Sequence, residues 1–179
     1  MKKVFFFIGI ALISIITGCK KYDEGPSISL RTKMNRLCGE WEVTEYMSNN
    51  ENVLHWNFDG NLTCSDGSTI YFQEKFNINQ FLWTFSKDGN WTSTTANSDK
   101  EFDFTTSYDL CSDFYNYKDY TDTELGTWKF TSSKEKLSIT YVNYPSQPET
   151  WTIKELKEKE MKVEYISGSD KIKMTFTKR

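Results

Sequence analysis

Histidine is nearly missing from this sequence, with His55 the single imidazole among 179 residues. A catalytic base of that kind needs a second group to orient it, and no motif beside His55 supplies one. There is no G-x-S-x-G, phosphate loop or dinucleotide fingerprint, and 25 carboxylates are too many for spacing to single out a glycosidase pair. These absences predict a protein that is not an enzyme. Basic residues are outnumbered, 22 against 25 acids, which removes the electrostatic footprint of a nucleic-acid binder. With no CxxC and no closely spaced Cys and His, neither a zinc site nor any other metal or cofactor is expected. Asp109, Asp113, Asp119, Asp122 and Glu124 cluster in the sequence, yet the calcium-loop spacing with its central glycine is absent. No apolar run is long enough to span a bilayer, because the longest, Val4 to Ile16, falls short of the roughly 20 residues required.

What the chain does have is rings and alternation. Aromatic residues reach 16 %, which fits strands that bury large side chains on one face and wet the other. Trp41, Val43, Glu45 and Met47 share one phase, with Glu45 inconsistent on that apolar face. Phe81, Trp83 and Phe85 share another, the "KDGN" of 87–90 makes a turn, and Trp91, Ser93 and Thr95 begin the return. Phe102 and Phe104 follow in strand phase. Trp128 and Phe130, then Leu137 to Tyr141, Trp151 and Ile153, Met161 to Tyr165, and Ile172 to Phe176 repeat the pattern between turns at 132–136, 143–149 and 167–170. Residues 153–165 contain strong helix formers, but the strand phase resumes at Met161, so a hairpin with its tip near 157–159 is expected. Residues 48–80 carry turn signals and one possible strand at Ile70 to Phe76. Residues 107–126 read as an irregular acidic, tyrosine-rich loop that covers a barrel mouth or meets a partner. Together the strands predict an antiparallel meander that must pair its edges or close on itself.

The N-terminal segment explains one cysteine. Met1, Lys2, Lys3, the apolar run and the small residues after it have the layout of a secretory leader. Ile16, Thr17, Gly18 and Cys19 resemble the bacterial lipobox, which implies acylation of Cys19 and cleavage after Gly18. Residues 1–18 would then be the signal peptide and 19–28 a lipidated polar tether, with two or more acyl chains making the anchor stable. Loss of Lys2 and Lys3 takes Lys+Arg from 22 to 20 against 25 acids, a net charge of −5. Three cysteines remain outside the inner membrane, where disulfides are permitted. Three pairings are possible; Cys64 with Cys111 is favoured, both lying in polar surroundings, with Cys38 a small buried residue.

A second resemblance covers residues 29–179. Ser29 is placed to cap a short helix carrying Leu30, Met34 and Leu37 on one face. Directly after it, Gly39, Glu40 and Trp41 match the G-x-W with which lipocalins begin their first strand. In order, "FLWTFSKDGNWTST", "GTWKFTSSKEKLSIT" and "WTIKELKEKEMKVEY" are similar to the lipocalin-like domains of small Bacteroidota-type lipoproteins. The resemblance implies an up-and-down all-β barrel of about eight strands, with Gly39 and Trp41 structural at its closed end. It also implies an outer-membrane location, facing the periplasm or the cell surface, and a barrel that holds a small hydrophobic ligand among Trp83, Phe85, Trp128, Phe130 and Trp151. The alternative is a filled core, in which these rings leave no cavity and the domain binds an envelope or host-surface partner through its loops. An open interior of several hundred Å³ would favour the first, and a packed one the second.

Overall fold

The computed structural model describes residues 32–179; Cys19, the leader, the tether and the expected cap Ser29 lie outside the described residues. The first element is a short helix, α1 (Lys33–Leu37), capped by Thr32, whose hydroxyl accepts the Asn35 N–H at 3.2 Å. Ten strands follow. They are β1 (Gly39–Ser48), β2 (Glu51–Asn52), β3 (His55–Thr63), β4 (Thr69–Phe85) and β5 (Asn90–Phe102), then, after helix α2 (Phe104–Leu110), β6 (Tyr115–Thr131) and β7 (Lys136–Tyr141). The last three are β8 (Glu149–Leu156), β9 (Glu160–Ser167) and β10 (Asp170–Lys178). Among the described residues no helix is long and apolar enough to cross a membrane.

β1 pairs with β10 on one side and, over residues 39–42, with residues 82–85 of β4 on the other. That double pairing closes β1 and β4 to β10 into an eight-stranded antiparallel barrel of the lipocalin-like, up-and-down kind. Further along, β1 and β4 part, and the seam is filled by β2 on β1 and β3 on β4. The link between them is laced to both walls: Val53 N–H donates to Tyr46 O at 2.9 Å, and Ile78 N–H donates to Leu54 O at 2.8 Å.

Helix α1 plugs one end. Leu37 and Trp41 are fully buried there, and the Trp41 indole N–H donates to the Leu37 carbonyl at 2.6 Å. Arg36 Nη1 donates to Leu156 O, and Lys178 Nζ to the carbonyls of Arg36 and Cys38, each at 2.6 Å, so charged donors take up carbonyls of the plug and of β8. Gly39 has a φ of +127°, and a Cβ there would lie 2.8 Å from Lys178 Cε. The G-x-W motif is therefore a packing device in which glycine admits the lysine stem and tryptophan receives its charge, 5.1 Å from the ring. Cys38, half-buried beside Met34, is a free thiol pushed up by burial.

Past the other end, four strands continue as a wing. Residues 69–77 of β4 pair with β3 instead of β1, and residues 115–124 of β6 have β5 alone as a neighbour, since β7 begins its pairing at Gly126. The wing has its own small core. Phe72 stacks on Phe102 with centroids 4.0 Å apart and meets Phe104 edge to face at 5.2 Å. A Cβ on Gly60 would lie 2.4 Å from Phe72 Cζ, so the ring covers the bare backbone of the paired strand. A disulfide between Cys64 and Cys111, with Cα atoms 5.4 Å apart, ties the β3–β4 turn to the end of α2.

Several sequence expectations change. Residues 107–126 are not an irregular loop; they form most of α2 and the first part of β6, and 48–80 hold β2, β3 and most of β4. The wing part of β6 is wet on both faces, so it lacks the apolar alternation that marks a half-buried strand. Phe104 is helical rather than strand, because Asp103 caps α2 by accepting the Thr106 N–H at 2.9 Å. In β1 the register shifts between Val43 and Glu45, a bulge that turns Glu45 outward to Thr175 Oγ1 and Tyr46 inward opposite Met174. The inconsistency of Glu45 disappears with that one extra residue. Residues 157–159 separate β8 from β9 as a hairpin tip, with no helix.

Candidate functional site

Inward side chains stack in levels from the plugged end to the open mouth. The lower levels are solid: Leu37, Trp41, Phe85, Leu137, Met161, Val163 and Phe176 are each 1 % exposed or less. Above them Trp83 is the hub, with ring centroids 4.9 Å from Phe176, 5.2 Å from Trp151 and 5.5 Å from Trp91. The indole N–H groups of Trp83 and Trp91 have no oxygen partner among the described residues. Their rings meet neighbours edge to face, at 5.5 Å between Trp83 and Trp91 and 5.2 Å between Trp91 and Tyr141.

At this level the packing stops and a cup of about 170 Å³ opens at the mouth. Trp83, Trp91 and Trp151 contribute its aromatic lining together with Phe81, Tyr46, Tyr141 and Tyr165, while Ser93, Glu124 and Glu149 bring polar atoms. A second, outer space of about 240 Å³ shares Glu124, Tyr141 and Glu149 with the cup and adds Tyr144 and Gln147. Of the five expected interior residues, Trp83 and Trp151 line the cup. Phe85, Trp128 and Phe130 do not: Trp128 meets both other rings edge to face at 5.6 and 5.4 Å, and its indole N–H donates to Ser86 O in the β4–β5 turn at 3.0 Å. The volume is well below the several hundred Å³ of a deep carrier pocket.

The polar groups of the cup form a small network. Glu149 Oε2 accepts the Tyr141 hydroxyl at 2.8 Å and the Trp151 indole N–H at 3.0 Å. Burial, with the charge and hydrogen bond of Glu149, pushes the Tyr141 phenol far above its usual range, so it remains a neutral donor. Tyr46 is pushed up by burial and by Glu149. The Glu124 carboxyl is also pushed up, by burial first and then by Glu149 and Asp122.

Sequence reasoning missed Glu149 and Ser93 and placed Glu124 in an acidic loop. The signal was present: Glu149 is two residues before Trp151, Ser93 two after Trp91, and Glu124 two before Gly126 and four before Trp128, all in the inward phase of their strands. A carboxylate in that phase of a barrel strand needs a reason. Asp119 and Asp122 lie on the wing part of β6, and Asp109 and Asp113 in and just after α2, so the five acids do not converge. Among the described residues one Cys and Asp group has metal-like proximity, Cys64, Asp66 and Cys111, and its two sulfurs are joined in the disulfide. His55 lies exposed with Nδ1 3.1 Å from Asn77 Oδ1, away from the cup. Comparison with family models, with curated proteins and with solved structures gave no match.

Proposed function

We propose that this protein is an outer-membrane lipoprotein, anchored through acylated Cys19, that binds a small molecule at the mouth of its barrel rather than in a deep interior. The observation that carries the reading is the cup: the one level where inward side chains stop packing is also where they become polar and converge. Glu149 is half-buried against the rings and Glu124 is exposed at the rim, so the polar groups face the opening, where a scaffold filled for stability alone has no use for a partly buried carboxylate. A second reading, an interaction module, is favoured by the exposed rings of the wing, Trp56, Tyr71 and Tyr117 among them.

Both parts are testable in the native host. Cys19→Ala is expected to move the protein from the membrane fraction to the soluble fraction, and stable membrane retention of that variant would contradict the anchor. Native mass spectrometry of the protein extracted from membranes is expected to show an added small mass that organic solvent strips away. A bare polypeptide mass that persists across growth conditions would shift the function to the wing.

A further inference from the structure

Resting on that mouth-binding reading, we propose that the ligand is a small organic cation, with an ammonium group held between Glu124 and Glu149 and a hydrocarbon body lying on the aromatic lining of the cup. Four observations converge on this chemistry. The first is charge. Glu124 and Glu149 border both the inner and the outer space, and no Lys, Arg or His lines either one. The Glu124 carboxylate, exposed at the rim, makes no hydrogen bond or ion pair among the described residues. An anionic ligand would meet two carboxylates with nothing to offset them, whereas an ammonium group relieves their repulsion.

The second is preorganisation. Tyr141 and Trp151 hold Glu149 through one oxygen and leave the other without a donor among the described residues, so its geometry is fixed before a ligand arrives. The third is an orphan hydroxyl. Ser93 is 5 % exposed and lines the cup, and its hydroxyl makes no hydrogen bond among the described residues. The Ser93 oxygen is not one of the sealed, unpaired polar atoms of the interior; it opens onto the cup, where a ligand atom can meet it. The fourth is shape. A space of 170 Å³ equals the share of about six waters at roughly 30 Å³ each, which admits a ring or a short alkyl group but not a lipid chain. Its tyrosine and tryptophan rings supply the π faces that favour a cation. A bare divalent metal is a poorer fit, since hard cations want about six or more oxygens and two carboxylates among hydrocarbon do not supply them.

The test uses three probes of one shape and different charge: benzylammonium, benzyl alcohol and benzoate. Each is titrated into the full chain carrying ¹⁵N-labelled tryptophan, with the indole N–H of Trp151 as reporter because it donates to Glu149. Benzylammonium is expected to shift that resonance and to bind at least about ten-fold more tightly than benzyl alcohol, with benzoate weakest, as the loss of a charge-assisted hydrogen bond implies. Glu124→Gln should weaken benzylammonium by roughly the same factor while leaving the far-ultraviolet circular dichroism and the thermal midpoint unchanged. Equal binding of benzyl alcohol at the Trp151 signal would overturn the cation assignment and leave the mouth reading standing. Silence of the Trp151 signal toward all three probes would overturn both. Benzylammonium binding that ignores Glu124→Gln and shifts the Trp56 indole would place the cation on the wing and also overturn the proposal.

Discussion

Replacement of Trp83 by alanine is expected to remove about 3–5 kcal/mol of folding stability, a large share of the roughly 5–15 kcal/mol typical of a domain. Five rings lean on this indole: Phe81, Phe85, Trp91, Trp151 and Phe176, all with centroids within 6.4 Å. Truncation would take away the buried area and leave a cavity that those rings, fixed on four different strands, cannot collapse to fill. Urea unfolding followed by far-ultraviolet circular dichroism gives the value without relying on the deleted fluorophore. The control is Trp56→Ala on the wing, where the ring is 52 % exposed and the expected loss is below about 1 kcal/mol. Equal midpoints for the two variants would contradict the placement of Trp83 at the centre of the core.

The second large effect is expected from Cys64→Ser with Cys111→Ser. The cross-link joins residues 47 apart, for which loop entropy alone gives about 4 kcal/mol. Its location makes the loss uneven. The bond pins α2 to the β3–β4 turn at the tip of the wing, far from the plug formed by α1 and β8. Amide exchange in the double variant should therefore accelerate in β3, in residues 69–77 of β4 and in residues 115–124 of β6, while β8, β9 and β10 keep their protection. Uniform acceleration through β8 to β10 would show that wing and barrel unfold as one unit, contrary to this division.

The barrel was legible where its strands are dry on one side. Trp151 and Ile153, Met161 and Val163, and Met174 and Phe176 point inward as their spacing predicts, because a strand that buries one face has a register its sequence must respect. Within the wing the possible strand at Ile70 to Phe76 falls inside β4, but the wing part of β6 was illegible for the converse reason. Tyr117, Asp119 and Thr121 on one face of β6 are as exposed as Lys118, Tyr120 and Asp122 on the other, so period two carries no information there. Glu45 was placed on the apolar face because of a single inserted residue, since a bulge inverts every side chain beyond it and leaves no reliable mark in composition. The cup was half legible. Its tryptophans stood out by bulk, but Glu124 and Glu149 were read as two of many surface acids. Only the closed sheet shows that both border the same opening.

The plug at the closed end also gives the molecule a direction. Residue 32 enters beside α1, at the end sealed by Trp41 and Lys178, and the cup and wing lie at the other. A chain held from its N-terminal side is gripped by its base. With the proposed N-terminal anchor, its mouth would be free to meet solutes that diffuse in water, and the wing, carried on the same strands as Trp83, Ser93 and Glu124, would be the part that reaches furthest from the anchor.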